Sequence, residues 1–233
     1  MFEATRAAFA LLFSGDAALW GIVWVSIKTS VLALLLAAPP AVLLGYAIAS
    51  YRFRGRRVAI WLVQATLSMP TVLVGLLLYL LLSRHGPLGD LRWLFTQSAV
   101  VLGQALIATP LLAAFTLAAV QSADPRYAET AVALGASRWR CMLTVLHEAR
   151  FGVVAALVSG FGRVISEVGC ALMVGGNIAG ATRTITTAIA LETSKGEFAQ
   201  GIALGMVLIT IALLMNGALL FLQGDSHGAR RLA

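Results

Sequence analysis

Charge is scarce in this chain. Only 12% of its 233 residues are Asp, Glu, Lys or Arg, against roughly 25% in an ordinary soluble domain, too few to build a water-facing surface. Cysteine is scarcer still. Cys141 falls in a charged connector and Cys170 in an apolar block, which argues against a disulfide, and neither has companions for a metal site. His85, His147 and His227 each stand alone in a connector or tail and read as solvated or locally bonded side chains, not as ligands or bases.

Catalytic motifs are missing as well. His147-Glu148 would need a second His at 151 to form a zinc-protease helix, and Phe151 stands there. Ser159-Gly160 has Leu157 where a nucleophile elbow requires glycine. No phosphate-cradling loop is found: Ile27 precedes Lys28-Thr29, and Gly196 follows Lys195. If the protein uses ATP, another chain must bind it.

What is abundant is apolar sequence, 60% of the residues, with a mean hydropathy of +0.90. It is gathered into blocks long enough for an α-helix to cross the hydrocarbon core, which takes about 20 residues. Thr29 to Tyr51, Val58 to Ser83, Trp93 to Ala123 and Phe198 to Gly224 contain no Asp, Glu, Lys or Arg, and Phe151 to Gly176 is interrupted only by Arg163 and Glu167. The expected fold is an all-α integral membrane protein with five core transmembrane helices.

An odd number of spans puts the two ends on opposite sides. The connector from Tyr51 to Arg57 carries four Arg and no acid, so the positive-inside rule makes it cytoplasmic. Alternation then sets the N-terminus outside and the C-terminus inside, with the Asp124 to Arg150 connector also inside. That connector holds Arg126, Arg138, Arg140 and Arg150, and the tail holds Arg230 and Arg231. Ten of the seventeen Lys and Arg residues thus lie in cytoplasmic segments, so topology accounts for the net charge of +7 and no nucleic-acid partner is implied. The expected organisation is an extracytoplasmic or interfacial segment over 1–25, a transmembrane domain over 26–224 containing the cytoplasmic segment 124–148, and a tail over 225–233. Met1 to Phe13 reads as a retained interfacial helix and not a signal peptide, lacking a basic start and a small-residue cleavage site.

The long cytoplasmic connector is the most informative stretch. Asp124 can cap a helix that Pro125 starts, the alanines from 128 to 133 favour its continuation, and Gly135 stops it. Tyr127, Ala131 and Leu134 recur at i, i+4 and i+7, giving a helix of about three turns a small apolar face. That face either enters a groove on a partner or lies against the protein's own membrane domain.

In this segment Glu129, Ala131 and Gly135 match the Glu-Ala-Ala, three residues, Gly pattern in the cytoplasmic loop of permease subunits of ATP-binding-cassette importers, with Val145 where the family commonly has Ile. Thr130 replaces the first Ala, and His147-Glu148 the usual Leu-Pro. Three further runs, Arg163 to Gly169, Met173 to Ile178 and Thr186 to Gly196, resemble the molybdate and tungstate branch of these permeases, the Leu-Glu-Thr-Ser-Lys-Gly run tungstate permeases above all. The resemblance implies a multi-pass permease subunit in a prokaryotic cytoplasmic membrane that works as a homodimer. It implies a coupling helix formed by Tyr127, Ala128, Glu129, Thr130, Ala131, Leu134, Gly135 and Ala136 and docked on one of two cytoplasmic ATPase subunits. ATP and Mg would belong to the ATPase, with no cofactor on this chain, and an extracytoplasmic binding protein would deliver tungstate or, second, molybdate. The same architecture could import sulfate, phosphate or another small solute, or serve as a non-transporting scaffold or receptor subunit.

Arg163 and Glu167 are four apart, hence on one helical face and able to pair. A charge at the bilayer centre costs about 2.5 to 3.5 kcal/mol on insertion scales, so neither should face lipid. They either line the pathway or brace helix four against a neighbour; Arg163 alone would hold an anion too tightly to release it. Gly175 to Gly180, with Asn177 inside it, reads as a helix stop at the outer end of that span, Asn177 being a further candidate for the pathway or for bracing. The hydroxyls of Thr182, Thr184, Thr186, Thr187, Thr193 and Ser194 are expected to solvate an external loop. Gly201 and Gly205, at i and i+4, are expected to allow close helix packing.

Overall fold

In the bilayer core no water is available to backbone N–H and C=O groups, so a chain this apolar must satisfy them within helices. The structure, a computed structural model, describes residues 2–229, and side chains over 5–221 except 7 and 13; Arg230 and Arg231 of the expected tail lie outside the described residues. No strand occurs among the described residues. The helices are α1 (Phe2–Phe13), α2 (Ala17–Ser50), α3 (Arg56–Leu67), α4 (Thr71–Leu82), α5 (Gln97–Ser122), α6 (Arg126–Ala133), α7 (Arg138–Glu148), α8 (Arg150–Ile165), α9 (Gly169–Gly175), α10 (Ile185–Lys195) and α11 (Phe198–Ala229).

Three of these, α2, α5 and α11, are long and apolar enough to cross a membrane unaided. The pairs α3 with α4 and α7 with α8 are bent by 95° and 72°, and the number of crossings reaches five if each bent pair is one span. The first bend falls at Ser68-Met69-Pro70, where proline cannot continue the hydrogen-bond ladder. The α7–α8 bend falls at Ala149, beyond a helix that the sequence reading did not anticipate.

Helix α2 begins twelve residues before the expected span, crossing the expected boundary at 25/26. Asp16 sets its start, accepting the Ala18 amide proton at 2.7 Å, and one lysine at position 28 does not break a helix whose backbone is already bonded. Its 34 residues make it about 51 Å long, well beyond the roughly 30 Å hydrocarbon core. At its other end Arg56 donates from Nε to the Ile48 carbonyl at 2.7 Å and from an Nη to the Ala49 carbonyl at 3.1 Å. A cation thus closes the carbonyl-rich terminus, where a positive charge is favoured.

Helices α2 and α5 lie side by side and run in the same direction. Lys28 meets Gln97 near one end, Ala33, Ala37 and Ala41 pack with Ala105, Ala108, Leu112 and Ala113 in the middle, and Gly45 abuts Ala113 and Leu117 near the other. Small side chains permit this approach, the usual means of helix association in lipid. Helix α8 runs opposite to α5: Gly152 sits against Ala119, Gly160 against Leu112, and Gln104 Nε2 donates to the Val164 carbonyl at 3.4 Å. Helix α9 carries the path on, with Gly103 close to Cys170. Helix α11 returns beside the start of α2, where Leu19 and Val23 cluster with Ala203 and Leu204.

Past this cluster α11 turns Ile209, Leu213, Leu214, Leu220 and Phe221 outward, as a helix facing lipid does. The expected close packing at Gly201 and Gly205 is not made within the chain. Thr193 Oγ1 is the neighbour of Gly201 at an ordinary distance, and Gly205 faces open space. Helix α11 also continues through the expected boundary at 224/225.

At Gly45 an added Cβ would lie 2.6 Å from the Ala113 carbonyl oxygen and 3.0 Å from the Leu117 nitrogen, backbone atoms that cannot step aside. Gly45→Val is therefore expected to cost about 1–3 kcal/mol or more in overpacking and to lower the yield of monodisperse detergent-extracted protein on size exclusion. Gly205→Ala, meeting nothing, should leave that yield unchanged.

Candidate functional site

At the end of the bundle where α2 and α5 finish, α6 and α7 project as a two-helix connector. Asp124 accepts the Arg126 amide proton at 2.9 Å, as the sequence suggests, and Gly135 follows the helix with φ +75°. Helix α6 is shorter than expected, eight residues, because the chain leaves helical geometry at Leu134 to enter the Gly135 turn. Ser137 then caps α7 by accepting the Arg140 amide proton at 3.4 Å.

The expected apolar face of α6 is split. Ala131 is only 8% exposed and is turned into the chain, and Ala128 packs with Tyr46, Val120, Met142 and Val145. Tyr127 and Leu134, the latter 82% exposed, point away. The inward face centres between Ala128 and Ala131, where alanines fit closely, so these residues lie against the chain's own membrane helices while Tyr127 and Leu134 are left exposed. Glu129, Thr130 and Gly135 are on the open side, and Ala136 is half-buried. Val132, Trp139 and Leu143 join them as exposed apolar groups. Trp139 was not singled out from the sequence, although an aromatic between Arg138 and Arg140 in a short charged connector is a signal that could have marked it.

Arg163 and Glu167 form an ion pair at 3.1 Å, with side chains 43% and 2% exposed. They do not share one helix, because α8 stops at Ile165 and Glu167 occupies the gap before α9. Its two carboxylate oxygens bond in different directions: Oε2 accepts from Arg163, and Oε1 accepts the Cys170 amide proton at 3.1 Å near the start of α9. Its carbonyl accepts from the Thr186 hydroxyl at 2.7 Å. Glu167 thereby joins α8, α9 and the beginning of α10, and supplies partners that the interrupted backbone lacks. Arg163 reaches the wall of a cavity of about 610 Å³ that also takes Thr66 and Thr71 from the bent α3–α4 pair and Thr109 and Pro110 from α5. One member braces the break, and the other presents charge to a cavity.

Asn177 stands apart from that cavity. It follows Gly176 in the loop after α9, both with positive φ, and its Nδ2 donates to the Thr187 carbonyl at 3.3 Å. The helix-stop reading fits this geometry. The adjoining hydroxyls do not solvate a loop as expected. Thr182, Thr184, Thr186 and Thr187 are buried, and Ile185–Lys195 is a helix. Thr184 and Thr187 form a reciprocal capping box at its start, and Ser26 accepts the Ile185 amide proton at 2.6 Å. The segment enters the protein, where its amides must find partners, and the hydroxyls provide them. Thr193 and Ser194 remain exposed.

A bundle of apolar helices with two bent helix pairs, a projecting two-helix connector at one end and an ion pair beside a cavity defines a polytopic membrane protein. Its residues 41–223 match the model of the binding-protein-dependent transport system inner membrane component, and the chain belongs to that family. It is 38% identical over 216 residues to the tungstate uptake system permease protein of Campylobacter jejuni, covering 93% of this chain and 90% of the relative. It is 41% identical over 197 residues to a probable anion ABC transporter permease protein of Haloferax volcanii, covering 82% and 85%. Among solved structures, a bacterial alginate ABC transporter in complex with an alginate pentasaccharide-bound periplasmic protein superposes with a TM-score of 0.72 at 23% identity, covering 96% of this chain and 82% of that one. That likeness speaks for the fold.

Because Glu167 bonds both Arg163 and the α9 backbone, Glu167→Ala strands a cation and an amide together, a loss of about 1–3 kcal/mol or more. Glu167→Ala is expected to reduce folded, membrane-inserted protein more than Arg163→Met with Glu167→Leu, which removes both charges. Glu167→Gln, keeping an acceptor for Cys170, should lie between wild type and Glu167→Ala in thermal stability. Equal loss in Glu167→Ala and the double variant would contradict a contribution from the ion pair, and Glu167→Gln no more stable than Glu167→Ala would contradict the bracing of α9.

Proposed function

We propose that the chain is the membrane-spanning subunit of an importer for a tetrahedral oxyanion, tungstate first and molybdate second. The supporting observation is the likeness to the tungstate uptake permease over nearly the full length of both chains. In this reading two copies enclose the pathway, since five crossings are thin walls for a solute path. The end carrying α6 and α7 faces the cytoplasm, in keeping with the arginines of its connectors, so the N-terminus lies outside and the C-terminus inside.

The chain itself is non-catalytic in this reading. Two separate ATPase subunits bind ATP and Mg, and each takes the exposed edge of one α6–α7 connector. Tyr127, Val132, Leu134 and Trp139 supply apolar contact and Arg138 and Arg140 supply charge, while Ala131 holds the connector to the membrane helices. An extracytoplasmic binding protein hands the anion to the opposite face. Arg163 attracts it partway, tempered by Glu167 so that it is not retained.

Leu134→Asp is expected to abolish copurification of the ATPase and ATP-driven uptake while leaving expression and membrane insertion near wild type. Ala131→Trp, acting on the inward face, should instead lower folded yield. In vesicles holding the complete complex, uptake of labelled tungstate should be competed by molybdate more strongly than by sulfate. Tungstate uptake that persists in Leu134→Asp would remove the coupling assignment, and failure of the wild-type complex to take up tungstate would remove the substrate.

A further inference from the structure

At the end of the bundle opposite α6–α7 the structure contains a second concentration of positive charge, unrelated to the Arg163 cavity. Helix α2 overruns the start of α5 by about three turns, so the beginning of α5 sits in a recess beside it. The recess has a volume of about 400 Å³ and is lined by Lys28, Trp24 and Gly21 of α2, by Gln97 of α5, and by Gly180 and Arg183 of the loop between α9 and α10. No carboxylate lines it among the described residues. Two cations in one concavity without an acid are unusual in a chain that spends 12% of its residues on charge.

The recess is built, not improvised from a mobile loop. Gln97 Oε1 accepts from Lys28 Nζ at 3.0 Å, and Gln97 Nε2 donates to the Ala181 carbonyl at 2.7 Å, tying the lysine to the loop that carries the arginine. Within that loop the amides of Ala181, Thr182 and Arg183 converge on the Ile178 carbonyl, and Thr182 Oγ1 bonds both the Gly175 carbonyl and the Ile178 amide. The donors are underused. Lys28 makes one neutral hydrogen bond where its ammonium can make three. The Arg183 guanidinium makes a long contact of 3.4 Å to the Asn177 carbonyl, and its buried Nε has no partner. Arg183 lines the recess, and the donors its single long bond leaves on the guanidinium suit an acceptor-rich anion there.

We infer that Lys28 and Arg183, with Gln97 setting their spacing, form a binding niche for a tetrahedral oxyanion at the mouth of the protein. The niche takes the anion through charge-assisted hydrogen bonds, and water reaches it, since Lys28 is exposed and Trp24 is 65% exposed. Water access keeps binding weak enough for onward movement. This inference rests on the importer reading for the identity of the anion but not for its existence, because a phospholipid headgroup presents the same phosphate-type chemistry.

The test uses the assembled permease–ATPase complex in nanodiscs, with Trp24 as the local probe. Sodium tungstate titrated into zwitterionic-lipid discs should give a saturable change in tryptophan fluorescence that is absent from Trp24→Phe, displaced by molybdate and indifferent to chloride. Lys28→Gln and Arg183→Gln should each weaken it about tenfold, roughly the worth of one charge-assisted bond, whereas Lys28→Arg should keep it. If discs containing phosphatidylglycerol already show the changed signal and tungstate no longer adds to it, a lipid headgroup is the occupant. The niche is overturned if neither tungstate nor anionic lipid changes the signal, or if both do so equally in the Lys28→Gln, Arg183→Gln double variant. Uptake is measured on the same samples: a niche that binds tungstate in a complex that does not import it would defeat the importer reading alone.

Discussion

Two neighbouring helices that run the same way impose a return on the chain between them, and the parallel contact of α2 with α5 is the constraint on which this molecule turns. Alanines from both helices and Gly45 bring the backbones close enough for the contact to hold in lipid, where burial of apolar surface no longer favours association. Residues 51–96 must then climb back to the starting side, which they do as the bent α3–α4 pair. The same contact leaves the far side of α5 free for α8 and α9, running opposite. It also fixes the depth of Gln97 relative to Lys28, because the two lie on the helices whose spacing the alanines determine.

Every interruption of a helix inside such a bundle needs polar partners, and the chain meets the need with few side chains. Glu167 is the clearest case. One buried carboxylate serves the start of α9 and neutralises Arg163, while its own carbonyl is taken by Thr186. The threonines around residues 182–187 do similar work where α10 begins, each hydroxyl standing in for water that the interior lacks. Scarcity of charge in the sequence therefore does not mean absence of polar structure. It means that each polar group carries several bonds, and that replacing one disturbs several elements.

The long apolar blocks were legible because periodicity hardly matters when a helix is apolar on all sides, and length with charge spacing suffices. Lys28 misled the reading of α2, since a single lysine on an exposed face ends an uncharged run without ending a helix. The bends were less legible: Pro70 marks one break, but Pro39, Pro40 and Pro110 lie within continuous helices, so proline alone does not say which. The pairing of Arg163 with Glu167 followed from their spacing, yet the position of Glu167 in a gap did not, because the gap is stabilised by Thr186, remote in sequence. For the same reason the buried threonines could not be told from a solvated loop. The face of α6 was half right: the periodicity identified its apolar residues, but which of them turn inward is decided by Tyr46, Val120 and Met142.

The two basic features differ in a way that bears on passage. Arg163 has a carboxylate at 3.1 Å and an apolar cavity in front of it, so its field in that cavity is largely offset. Lys28 and Arg183 have no acid in their recess among the described residues but stand where water screens them. An unpaired cation deep in the apolar cavity would trap a divalent anion, and a paired one at the surface would not attract it. In the proposed importer, pairing the inner charge and leaving the outer ones without an acid would give attraction at the entrance with little retention inside, while ATP hydrolysis on the partner subunit sets the direction of movement.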